Sequence, residues 1–106
     1  MTINIIGQDY DFQEINGKED TRLADADGYM DGYAKLIRIE KDFNEKHPSA
    51  ILDFNAYRRE IKRHEILHAF FEEAGLTRWR DDEVLANWIS LQFPKMLKVF
   101  QQVGGL

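Results

Sequence analysis

The sequence predicts an α+β domain, an N-terminal antiparallel β-sheet of three to four strands packed against two helices. Three observations lead there. Alternating and β-branched stretches, punctuated by Asn-Gly and Asp-Gly pairs, fill the first part of the chain. After Asp53 the apolar residues recur at three- and four-residue steps, the period of an amphipathic helix. Strands come first and helices after, without the alternation that builds a parallel sheet. The 106 residues suffice for one domain, 1–106, and are too few for two.

Thr2–Ile6 is apolar and β-branched, with Gly7 ending it. Tyr10, Phe12 and Glu14 alternate with Asp11, Gln13 and Ile15 as a second strand, closed by the Asn16-Gly17 turn signal. Arg22 to Met30 reads as a third strand, interrupted by small polar residues near Asp25–Asp27. Asp31-Gly32 marks a tight turn, and Lys35 to Glu40 is the clearest later strand, with Ile37 and Ile39 on one face and Leu36 opposite. Gly28–Met30 should pair with Leu36–Ile39 as an antiparallel hairpin. Phe43 to Leu52, which contains His47-Pro48, reads as irregular. Asp53 or Asn55 can cap the first helix, and Gly75 stands where its C-terminal cap belongs. Phe54, Tyr57, Ile61, Leu67, Phe70, Phe71 and Ala74 form its apolar stripe. A last helix begins near Asp81 or Asp82 and turns Leu85, Trp88, Ile89, Met96, Leu97 and Phe100 inward. Pro94 should kink it or divide it in two.

Composition narrows the function. A formal charge of -5 argues against a nucleic-acid surface, which needs a basic face. Arg58, Arg59, Lys62 and Arg63 form the basic run and read as a solvated helix face. The chain has no cysteine, so any metal site must use His, Asp and Glu. No apolar run approaches a membrane span, and the first residues lack the pattern of a signal peptide. The expectation is a protein that stays where it is made and binds neither membrane nor nucleic acid.

The chemistry concentrates in His64-Glu65-Ile66-Leu67-His68. A helix turns about 100° per residue, so His64 and His68 stand one turn apart on one face and can reach one ion. Glu65 lies beside them, near enough to touch a water on that ion. This is the HExxH arrangement, in which the Glu is the general base of metal-assisted hydrolysis. A catalytic zinc takes three protein ligands and keeps one position open, so a third ligand must come from elsewhere. Glu83, fifteen residues after His68, is well placed if the chain turns at Gly75 and returns. Asp82, Asp81, Glu72 and Glu73 are its rivals. Asn87, four residues past Glu83, could accept a hydrogen bond from the far nitrogen of His64 and fix that ring. Tyr29, Tyr33, Tyr57 and His47 are candidate donors to a developing oxyanion, with Tyr29 and Tyr33 favoured because they flank the hairpin. The expected cofactor is one Zn2+ per chain, and without thiolates another divalent ion could take the site. The other readings are a metal-containing protein that binds or regulates without catalysis, and a metal with a structural role.

Arg63–Phe70, preceded by Gly28-Tyr29-Met30-Asp31 and followed by Glu83-Val84-Leu85-Ala86-Asn87, resembles the ImmA/IrrE-like small metallopeptidases, nearest their short bacteriophage and prophage forms. The opening Ile3–Gly7 is similar to that family's first strand. The resemblance spans about Ile3 to Phe100 and is most specific at the HExxH segment. It implies a minimal zincin-like fold of the gluzincin class, with His64, His68 and Glu83 as ligands and Glu65 as base. It also implies that the hairpin strand borders the cleft and pairs with an extended peptide. The implied substrate is a peptide or protein of phage or host, in several relatives a regulatory protein. The implied setting is the cytoplasm of the host bacterium. From the sequence itself, an exposed sheet edge leaves room for a weak homodimer as well as a monomer.

Overall fold

The computed structural model describes residues 1–49 and 53–106. Strand β1 (Thr2–Ile5) turns through Ile6 and Gly7, both at positive φ, into β2 (Gln8–Ile15). Positive φ at both central residues is the geometry of a two-residue hairpin. Strands β3 (Gly28–Asp31) and β4 (Leu36–Glu40) form the second hairpin, with Gly28 opposite Ile39 and Met30 opposite Ile37. Ile37 and Ile39 are fully buried on one face, as the two-residue period requires.

The sheet is mixed rather than antiparallel. Its order is β1-β2-β4-β3, and β2 runs parallel to β4. The cause lies in the segment between β2 and β3, where a strand was expected from Arg22 onward. Only Gly28–Asp31 is extended there. The preceding residues form two short 3-10 helices, Gly17–Glu19 and Thr21–Leu23. Asn16 accepts from the Lys18 N–H and Asp20 from the Arg22 N–H. Side chains that capture nearby backbone donors in this way compete with a strand ladder. The connection carries the chain past the neighbouring position to the far edge, and β4 returns between β3 and β2. Asp20 anchors the crossing by accepting from Arg38 of β4 at 2.9 Å and from Tyr29 of β3.

Helix α1 (Phe43–Lys46) is a single turn, where irregular chain was expected, and buries Phe43. The rest of that expected irregular stretch runs to Leu52, and 50–52 lie outside the described residues. Helix α2 (Phe54–Glu73) starts at Asp53, whose carboxylate accepts from the Ala56 N–H at 3.0 Å. It ends before Gly75, whose φ of 72° a residue with a side chain adopts only at a cost. Tyr57, Ile61 and Ile66 of α2 pack on Ile5, Tyr10, Ile37 and Ile39 of the sheet.

Helix α3 (Glu83–Gln102) packs on α2 and is capped by Asp82, which accepts from the Leu85 N–H at 2.9 Å. It runs unbroken through Pro94, so the expected division is absent. Proline removes the hydrogen bond to the carbonyl four residues back, here that of Ser90. Arg63 of α2 supplies the missing donor, its Nε standing 2.7 Å from the Ser90 oxygen, and Ser90 is fully buried. Two of the expected inward residues point outward instead, Trp88 at 56% and Phe100 at 43% exposure. Phe70 of α2 and Ala74 just beyond it are likewise exposed. Among the described residues no helix is long and apolar enough to cross a membrane.

Candidate metal centre

The most buried face of α2 is polar. His64, Glu65 and His68 are buried together with Ala69, while the flanking aromatic Phe70 reaches solvent. Buried polar side chains call for partners. For the two histidines these come from α3 and from the connection leading into it. Glu83, the first residue of α3, places Oε2 at 2.8 Å from His64 Nε2 and Oε1 at 3.0 Å from His68 Nε2. The two imidazole nitrogens are 3.1 Å apart. His64, His68 and Glu83 are the group among the described residues that could hold a metal ion.

Two features test the fit of a cation to this triangle. Zinc bonds of about 2.0–2.1 Å at tetrahedral angles put neighbouring ligand atoms about 3.3 Å apart. The two nitrogens, 3.1 Å apart, stand within a few tenths of an ångström of that spacing, and each meets its own oxygen of Glu83, at 2.8 and 3.0 Å. The second feature is the protonation pattern. His68 Nδ1 lies 2.6 Å from the carbonyl oxygen of Arg80, which only accepts. The network therefore assigns a proton to Nδ1. Nε2 faces a Glu83 carboxylate oxygen at 3.0 Å, and a positive charge, a proton or a metal ion, suits the space between them. The donor set and its spacing fit a divalent ion with two nitrogens and one oxygen.

Each rival third ligand is engaged elsewhere. Asp82 caps α3. Asp81 and Glu72 pair with the Arg80 guanidinium at 3.4 and 3.3 Å. Glu73 accepts from Tyr10 at 2.7 Å and from Lys35 at 2.9 Å.

Glu65 sits beside the triangle, its Oε1 3.8 Å from His64 Nε2. It stands clear of the three converging atoms yet within reach of a small molecule among them. Burial pushes its carboxyl up to about 8 without a cation present, and the nearby Glu83 carboxylate adds to the rise. β3 runs alongside this helix. A Cβ on Gly28 would stand 3.1 Å from the Glu65 side chain and 3.0 Å from Ile61, and one on Gly32 would stand 3.0 Å from Glu72. The absent side chains let the sheet's edge strand approach the buried acid closely. Beyond Arg80 a cleft of about 380 Å3 opens between the β3–β4 turn and the α2–α3 connection, lined by Tyr29, Tyr33, Glu72, Arg80 and Asp81.

Asn87 is exposed, and its side chain makes no hydrogen bond among the described residues, so the bond expected from His64 is not formed. The ring held from behind is His68, and its holder is a backbone carbonyl with no signature in the sequence. Tyr29 is committed elsewhere: its hydroxyl donates to Asp20 and accepts from Arg22 at 2.8 Å. Tyr33 is fully exposed on the rim of the cleft. Tyr57 donates to Asp27, and His47 Nε2 lies 2.8 Å from the same carboxylate, so both join α2 and α1 to the loop before β3. The sequence reading also missed Arg63 and Gly28. Only Pro94, which frees a carbonyl four residues back, pointed to a donor like Arg63.

Comparison of this chain with protein-family models, with curated proteins and with solved structures returned no match.

Proposed function

We propose that the protein is a zinc-dependent peptidase that hydrolyses peptide bonds by adding a water under general-base catalysis by Glu65. One observation carries the reading. The Nε2 atoms of two imidazoles and a carboxylate converge within hydrogen-bond distance, with a second, buried acid beside them. A structural site closes around its ion, whereas Glu83 keeps 67% of its side chain exposed and leaves one side of the group open.

His64, His68 and Glu83 would hold the ion. Bound there, zinc would lower the pKa of a coordinated water toward about 7, polarise the scissile carbonyl and oppose the upward shift of Glu65. Glu65 takes the proton of the attacking water and delivers it to the leaving nitrogen. The carbonyl carbon gains a C–O bond and loses its C–N bond, so the products are a carboxylate and an amine. The Arg80 carbonyl holds the His68 ring, keeping Nε2 turned toward Glu83 and His64, where an ion would be held. β3 is an edge strand, so its unpaired side can align an extended peptide through main-chain hydrogen bonds. The substrate class is therefore an extended segment of a protein, and the resemblance favours a regulatory protein of phage or host in the bacterial cytoplasm.

The test is the zinc-loaded protein and its Glu65→Gln variant against an unstructured peptide library. The wild type should cleave and lose cleavage with a chelator. Glu65→Gln should keep about one zinc per chain while its rate falls by at least about 10²-fold. Loss of zinc in that variant, or a wild type that binds zinc and cleaves nothing, would overturn the assignment.

A further inference from the structure

Helix α3 carries three charged residues, Glu83, Lys95 and Lys98, in twenty positions. Its packing is on α2. A surface helix covered on one side normally turns a charged face to water. This one does not. Val84, Trp88, Leu91 and Val99 follow at steps of four, three and eight, which sets them on one face with Lys95 between. They are 80%, 56%, 51% and 55% exposed. These four side chains present roughly 500 Å2, and with the stems of Lys95, Lys98 and Gln102 the face offers about 800 Å2, one partner's share of a standard interface. An apolar face of this size on a chain of 106 residues calls for a cover.

We infer that a second copy of this chain covers it, the two α3 helices packing antiparallel about a two-fold axis near Leu91. The charge order argues for that occupant. Asp81, Asp82 and Glu83 stand at the start of α3, and no acidic residue follows Glu83 to the end of the sequence, where Lys95 and Lys98 are the only charges. Antiparallel pairing brings the basic end of each helix to the acidic start of the other, where Lys98 falls about one turn from the partner's Asp81. Parallel pairing would oppose like charges. An interface of this kind is self-complementary, as a two-fold axis demands. Glu83 lies roughly 100° around the helix from the stripe, so the candidate metal centre stays outside the interface.

Sedimentation of the whole chain across about 1–300 μM tests this. The expected result is a dimer that dissociates on dilution. Leu91→Glu should be monomeric throughout with an unchanged far-ultraviolet circular dichroism spectrum. Lys98→Glu should weaken association at least about tenfold, and adding Asp81→Lys should restore it. The charge pair keeps the test decisive if Leu91→Glu fails to fold. A monomer at every concentration, a dimer indifferent to Leu91→Glu, or a Lys98→Glu defect that Asp81→Lys leaves unrepaired would each overturn the arrangement.

Discussion

Glu83 does two jobs from one position. It opens α3, where a negative charge suits the helix N-terminus, and each of its oxygens reaches a different imidazole. Its neighbour Asp82 does one, capping the same helix with its carboxylate. The two acids therefore predict opposite profiles. Glu83→Ala should weaken zinc binding by at least about 100-fold, beyond the 10–100-fold typical of residues that only orient a ligand. Asp82→Ala should cost about 1 kcal/mol of stability and leave most of the zinc affinity. Calorimetric titration with zinc and thermal melting of both variants separate the roles, and the reverse pattern would move the ligand to Asp82. Gly28 acts at the same scale through an absent side chain. Ile61 and Glu65 already stand at 3.0 and 3.1 Å from where a Cβ would be. Gly28→Val should displace Glu65, lowering cleavage more than zinc content. Parallel assays of peptide turnover and bound metal would expose the difference.

Between α2 and α3, Pro94 and Arg63 form a matched pair. The proline frees the Ser90 carbonyl and the arginine caps it from the neighbouring helix, one residue before His64. The bond ties the turn of α2 that carries His64 to α3 about two turns beyond Glu83. Arg63→Met should cost about 1–3 kcal/mol, the penalty of a buried carbonyl left unpaired. In a Pro94→Ala background the helix's own N–H satisfies Ser90, and the same change should cost markedly less. Urea unfolding of the four proteins measures that coupling, and additive effects would refute the pairing. His64 and His68 were legible in the sequence because four-residue spacing on a helix is local geometry. Arg63 was read there as a solvated charge, since its partner is a backbone atom 27 positions away.

For the whole molecule, the crossing that makes the sheet mixed is held by carboxylates, and this sets the acid limit of the fold. Asp20 is held near 2 by the Tyr29 hydroxyl first and the Arg38 guanidinium second. Asp27 is also lowered: burial opposes ionisation, and Tyr57, His47 and Lys46 outweigh it. A carboxyl depressed in the folded state contributes stability above its unfolded value, and that contribution fades as pH falls. For Asp20 the window runs from about pH 4 down to about pH 2. Far-ultraviolet circular dichroism against pH should show unfolding in that range. Asp20→Asn should be less stable at neutral pH and show a flatter acid limb, and an unchanged limb would remove Asp20 from the account.

The sequence by itself determined the α+β class, the β3–β4 hairpin, two helices opened by short polar residues and the paired histidines. Each depends on residues close together in the chain, where periodicity and turn chemistry act directly. Tertiary structure alone decided the parallel pairing of β2 with β4 and the burial of α2 along its polar face, and it brought Glu83, the acid the sequence favoured, to the paired histidines. It also turned Trp88 outward and gave His68 a backbone carbonyl in place of a side chain. Those outcomes depend on which elements meet in space, and there a competing partner already engaged, as for Asp82, Glu72 and Glu73, outweighs any spacing along the chain.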